Sequence, residues 1–226
     1  MVLSCACVRN GCMGNRKANL VMMKNYIKIM AGAGICTLML TGCGTVKVPE
    51  VVEHTTLSVD KEGILTSYLV EDFDKAHYDV TALEDMAVKE AAEYNTEHQK
   101  GETVPLTVEK VEMLADGKKV LVKHVYSDAT VYNDYNVEEF FYGTVAEALN
   151  AGYDLTEGLV SIKDGTAMVK EELDKNPDKT YVIVTDAKAL IYGPYKVSYI
   201  SEGAAYQEDG SVDTKQAEGF VTILMK

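Results

Sequence analysis

Apolar residues are spaced unevenly along the chain. From Ile29 to Leu40 they form one short unbroken run, preceded by Lys24 and Lys28. From Thr55 onward they alternate with polar residues. Leu57 and Val59 alternate, Asp60-Lys61-Glu62-Gly63 supplies turn chemistry, and Ile64 to Val70 returns, so a β-hairpin is expected over Thr55–Val70. Between Asp79 and His98 the period changes. Val80, Leu83, Ala87, Ala91 and Tyr94 recur at steps of three and four, which places them on one helix face. Thr81 with Glu84 three residues later reads as a capping box at its start.

A second hairpin is expected over Thr103–Tyr126. Val104, Leu106 and Val108 share one phase, Val111 and Met113 the other, and a bulge near Glu109 and Lys110 restores the face. Ala115-Asp116-Gly117-Lys118 is the turn, and Val120, Val122 and Val125 lie on the return. Two short helices follow: Asn136 capping Val137–Tyr142 with Gly143 as the stop, and Val145–Ala151 with Thr144 and Glu147 as a capping box and Gly152 as the end. Leu155–Ile162 returns to the sheet. Ala167–Lys175 is read as helical, capped by Thr166. Thr180–Thr185, Ala189–Tyr192, Lys196–Ser201 and Gly219–Leu224 are strands, and Gln207–Lys215 a polar loop. The expected class is α+β: a mainly antiparallel sheet built from hairpins, with one long helix and two or three short helices packed on it.

The N-terminal run changes the picture of where this domain sits. Ile29–Leu40 matches the roughly 7–15 residues of a signal-peptide core and falls short of the ~20 of a spanning helix. Leu40-Thr41-Gly42-Cys43 follows it. These four residues resemble the lipobox of bacterial lipoproteins. The resemblance implies that Cys43 takes a diacylglyceryl thioether and becomes the first residue of the mature chain. Two acyl chains hold far better than one. The expected organisation is therefore residues 1–42 as an N-terminal extension and removed signal, 43–54 as a lipidated tether, and 55–226 as one extracytoplasmic domain. Met1–Met22 precedes a complete signal and holds Cys5, Cys7 and Cys12, a poor zinc set without a fourth ligand. Translation from Met22 or Met23 is the preferred account of it.

Charge narrows the partners. Five of the 22 Lys and Arg, and none of the 35 Asp and Glu, fall before residue 43. The mature part thus has 17 basic against 35 acidic residues, a net charge of −18. Such a surface repels nucleic acid and anionic headgroups. It also keeps no cysteine besides Cys43, so no internal disulfide is available to it.

The remaining mature sequence contains Leu57-Ser58-Val59-Asp60-Lys61-Glu62-Gly63, Val70-Glu71-Asp72-Phe73-Asp74-Lys75 and Phe141-Tyr142-Gly143-Thr144-Val145-Ala146-Glu147-Ala148. In these pieces it resembles a group of uncharacterised lipoproteins from anaerobic gut Firmicutes. It departs from them at Gly193-Pro194, where a Pro-Gly order is more usual. That resemblance implies no activity, cofactor or catalytic residue.

Candidate chemistry is sparse. His54, His77, His98 and His124 show no metal-ligand spacing and are expected at the surface or at sheet edges. No nucleophile elbow or phosphate loop occurs. Glu71, Asp72, Asp74 and Asp79 lack EF-hand spacing and read as a solvated surface. No metal, cofactor or catalytic site is assigned. Tyrosine stands out, with 14 Tyr against four Phe and no Trp. Tyr126, Tyr132, Tyr135, Tyr142 and Tyr153 form one group, and Tyr192, Tyr195, Tyr199 and Tyr206 another. They are expected to pack on the sheet with hydroxyls at the rim; the alternative is that they stack on a glycan or anchor a protein ligand. The expected function is a non-catalytic, lipid-anchored binding or structural module outside the cytoplasm. The alternative is a small envelope enzyme acting on glycans through paired carboxylates.

Overall fold

The structure, a computed structural model, describes residues 47–155 and 158–226. They belong to the compact unit Gly44–Lys226. Cys43 and the apolar run before it lie outside the described residues.

The first hairpin forms as its pattern predicts. Strand β1 (Thr56–Val59) pairs antiparallel with β2 (Leu65–Asp72). Asp60 closes the turn by accepting the Ile64 N–H at 2.8 Å, and Gly63 takes a φ of 87° that other residues resist. The second hairpin, β3 (Leu106–Met113) and β4 (Lys119–Tyr126), also forms, with its register shifting between Val108 and Lys110. Asp116 Oδ1 accepts the N–H groups of Lys118 and Lys119 at its turn.

Helix α1 (Val80–His98) lies between them. Its cap is Asp79, whose carboxylate accepts the Ala82 N–H at 3.0 Å, not Thr81. Asp79 wins because it stands at the extended residue where the helix begins. Ala87 and Ala91 are the helix's buried residues. The Asn95 side chain joins its end to β3 through both backbone polar groups of Leu106. So slight a buried face does not cover a sheet, and the expectation of one long helix packed on the sheet is not met in that form.

The residues after β4 correct the sequence reading. Ser127–Asn136, for which the pattern predicts no element, holds helix α2 (Ala129–Tyr135), capped by Asp128. Val137–Tyr142 is not a helix. Phe140–Thr144 is strand β5, because Phe140 and Tyr142 alternate with Phe141 and Gly143 along a pairing partner. Helix α3 (Val145–Asn150) has the expected capping box of Thr144 and Glu147. Strand β6 (Leu159–Ser161) and helix α4 (Lys170–Asp174) follow. Thr166 does not cap α4; its hydroxyl donates to Asp164 two residues back. Strands β7 (Tyr181–Thr185), β8 (Leu190–Tyr192), β9 (Val197–Ser201) and β12 (Val221–Met225) fall where apolar runs place them. The expected polar loop Gln207–Lys215 instead carries β11 (Val212–Asp213), paired with β10 (Ala205–Tyr206), and buries Ser211, Val212 and Thr214.

The class is α+β with mostly antiparallel sheet, but the strands form two sheets. One runs β10-β11-β8-β1-β2-β4-β3, the other β5-β7-β12-β9-β6. Every pair is antiparallel except β1 with β8. A single apolar cluster joins Leu57 and Leu65 of the first sheet to Phe140, Ile183, Ile223 and Met225 of the second. Here the second sheet does the covering that the sequence reading gave to helices. Its own far face, with Val182, Val184 and Leu224, packs under Val145, Ala148, Leu155 and Leu173. Gly193 runs beneath Met225: a Cβ there would overlap the thioether sulfur. Val52 is buried, so the predicted tether docks onto the domain before β1 begins.

Candidate functional site

One cavity of about 260 Å³ opens where the first hairpin turn, the start of α2 and β5 meet. Three local structures set its walls. The hairpin turn brings Gly63 to one side. Asp128 fixes the start of α2, its Oδ1 accepting the Val131 N–H at 3.0 Å and its Oδ2 the Ser127 hydroxyl at 3.2 Å. That places Thr130 and Asn133 at the cavity. Asn133 Oδ1 accepts the Phe140 N–H at 2.8 Å, pinning α2 to the first residue of β5. The alternation of β5 then splits its rings between the two faces of the sheet. Phe140 and Tyr142 belong with the core between the sheets, and Phe141 with the cluster under the short helices. Tyr153 completes the wall: its ring lies 5.0 Å from that of Phe141 at 50°, and its hydroxyl donates to Glu139 Oε1 at 2.5 Å. Burial, then the bond to Glu139 and its charge, push the Tyr153 hydroxyl up to about 12.

The aromatic surface continues past the cavity. Tyr142 stacks on Tyr181 at 5.8 Å, Tyr181 on Tyr195 at 4.5 Å, and the Lys61 ammonium lies 5.5 Å above Tyr195. The Tyr142 hydroxyl is buried beside that of Tyr195 without a hydrogen bond of good geometry. Burial, with the neighbouring Tyr195 and Tyr181 hydroxyls, raises its pKa.

The other tyrosines divide by role. Tyr126 and Tyr132 are core, packed edge to face at 5.2 Å. Tyr192 is buried and donates to Asp209 at 2.6 Å. Tyr199 lies under Lys226, and Tyr206 is exposed. The sequence group therefore mixes structural rings with two, Tyr142 and Tyr153, that reach the cavity.

The histidines divide as well. His54, His77 and His98 are exposed. His98 stacks on Tyr94 at 4.1 Å, and its Nε2 lies 3.3 Å from Asp134, which also accepts the Tyr94 hydroxyl at 2.9 Å. His124 is a correction. It is 9% exposed on β4, between β2 and β3, and its Nε2 has no hydrogen-bond partner among the described residues. Burial lowers its pKa from 6.5 to about 4, so it is neutral at physiological pH.

Glu71, Asp72, Asp74 and Asp79 are all exposed. Among the described residues no group of three or more His, Cys, Asp or Glu is placed to hold a metal ion, and no helix is long and apolar enough to cross a membrane. The cavity residues Asp128, Thr130, Asn133, Phe140 and Phe141 were not singled out by sequence. The signal that finds Asp128, Thr130 and Asn133 is Ser127-Asp128 before Val131, Tyr132 and Tyr135, a cap followed by steps of one, three and four. No family model, curated protein or solved structure matches the chain.

Proposed function

We propose that the protein is a non-catalytic binding module, held by lipid on Cys43 at the outer side of a bacterial cell membrane. The observation that carries the binding role is the cavity. It is walled by Phe141, Tyr142 and Tyr153, and the polar residues Asp128, Thr130 and Asn133 line it from the cap and first turns of α2. That combination of apolar wall and few oriented polar groups is the usual make-up of a small-ligand site. The anchor rests on sequence: Lys24 and Lys28, the short apolar run, and Leu40-Thr41-Gly42-Cys43. The acidic surface adds no electrostatic attraction to an anionic bilayer or to nucleic acid, so the acyl chains supply the attachment.

An envelope enzyme acting on glycans would need two facing carboxylates about 5–9.5 Å apart. Among the described residues Asp128 is the carboxylate lining the cavity, and both its oxygens serve the start of α2. The binding reading is therefore preferred.

Two measurements test the proposal. Intact-mass analysis and fractionation of wild type and Cys43→Ser test the anchor. Wild type is expected to begin at Cys43 and carry lipid, and the variant to be exported without it. A wild-type chain that begins elsewhere, or carries no lipid, overturns the anchor. A ligand-observed NMR screen of mixed small molecules tests the binding role, with Tyr153→Ala as the control. Hits that all survive that substitution unchanged overturn it.

A further inference from the structure

The chemistry of the cavity narrows what can enter it. Among the described residues its one charged lining group is Asp128, and no Lys, Arg or His lines it. The whole chain carries a net charge of −13. An anionic ligand is repelled at both scales. Besides the tyrosine hydroxyls, the polar side chains are Asp128, the cap of α2, and Thr130 and Asn133 within it, and they differ in kind. The Asp128 carboxylate accepts two hydrogen bonds and has lone pairs to spare. Asn133 spends its carbonyl oxygen on Phe140, while its amide Nδ2 has no partner among the described residues. The Thr130 hydroxyl is likewise without a partner among the described residues, and Thr130 is exposed. The site therefore offers an acceptor, a donor and a group that does both. Against these stand the tilted rings of Phe141 and Tyr153, whose faces favour C–H groups and flat apolar surface.

We infer that the cavity binds one neutral sugar ring, the terminal residue of a glycan. This rests on the binding role proposed above and names its ligand class. A pyranose presents vicinal hydroxyls that donate to Asp128 while accepting from Asn133 and Thr130. Its C–H face lies on the rings. The size agrees with one ring: about 260 Å³ falls just below the roughly 300–1,000 Å³ of sites for drug-sized ligands, so a longer glycan runs out of the mouth. Gly63 leaves that mouth open, because nothing lies within 4 Å of where a Cβ would stand. A quaternary ammonium would use the rings and the carboxylate, but it would gain no hydrogen bond from the Asn133 amide or the Thr130 hydroxyl.

The test is saturation-transfer NMR on the detergent-solubilised full chain, with glucose, galactose, mannose and N-acetylglucosamine as separate probes. Tetramethylammonium is the cationic comparison. At least one sugar is expected to bind with a Kd on the order of 1 mM, the scale of a weak one-ring site. Asn133→Asp removes the free amide donor but keeps the oxygen that Phe140 uses. It and Tyr153→Ala should each weaken binding tenfold or more. Thr130→Val, isosteric and exposed, should weaken it several-fold, and it remains a test if the other two fail to fold. Tyr206→Ala, an exposed ring outside the cavity, should change nothing. The inference is overturned if no sugar binds, if sugar binding survives the cavity substitutions, or if tetramethylammonium binds there and the sugars do not. A non-sugar hit sensitive to Tyr153→Ala would overturn the ligand class while leaving the binding role standing. Lipid mass on the same preparation reports the anchor separately.

Discussion

Along β12, from Val221 to Met225, every side chain is buried. Along β2 the burial alternates at first and then fades to exposed Glu71 and Asp72. Both are strands within their sheets, yet they follow different rules, because their sheets are covered differently. The five-stranded sheet has the core between the sheets on one side and α3 and α4 on the other. The seven-stranded sheet shares that core and leaves most of β3 exposed or half-buried. A sheet covered twice writes continuous apolar runs, while a sheet covered once writes alternation. Position in the sandwich therefore controls how much each side chain matters.

The sharpest way to break this comparison is truncation in the doubly covered sheet. Phe140→Ala should destabilise the domain by about 3–5 kcal/mol, since the ring is fully buried and joins the main core. Val108→Ala on the edge strand β3 should stay below about 1 kcal/mol, because that side chain is half-buried at the rim. Urea unfolding of both variants decides it. Equal losses would show that double coverage does not set the energetics.

Acid is the next probe, and it tests the singly covered sheet at its interior. His124 has a folded pKa near 4 and an ordinary value of 6.5. The native state therefore excludes a proton that the unfolded chain accepts. Stability is intact above about pH 6.5 and falls as pH drops toward 4, by on the order of 3 kcal/mol for that shift. His124→Phe should flatten this limb in unfolding curves taken between pH 7 and 4.5. If the variant loses as much stability as wild type across that range, another group is responsible.

Gly193→Ala sharpens the comparison at the close approach of Met225. The added Cβ overlaps the sulfur and forces Met225 to move, which should destabilise by about 1–3 kcal/mol. A melting temperature equal to wild type would mean that the buried layer yields easily.

The smallest effect belongs to the periphery. Asp79→Ala removes the α1 cap and should lower stability by about 1 kcal/mol, while Thr81→Ala should leave it nearly unchanged. Thermal unfolding of the pair distinguishes the two caps, and the reverse order would restore the capping-box reading.

Local chemistry alone determined a good part of this molecule. The hairpin turns at Asp60–Gly63 and Asp116–Gly117, the bulge by Val108, the face of α1 and the capping box of α3 all lie within a few residues of their causes. Alternation and turn residues are short-range signals, so they survive in the sequence. The lipid anchor proposed at Cys43 is likewise read from a local motif, Leu40-Thr41-Gly42-Cys43, and rests on sequence alone. The tertiary structure decided everything that depends on residues far apart. Phe140–Tyr142 became a strand because β7 waits some forty residues later to pair with it. The strands divided into two sheets because each apolar face needed cover, and α1, with its two buried alanines, could not supply it. The cavity follows from the same fact: Gly63, Asn133, Phe141 and Tyr153 meet only once the hairpin, α2 and β5 are packed, and no spacing along the chain records that meeting.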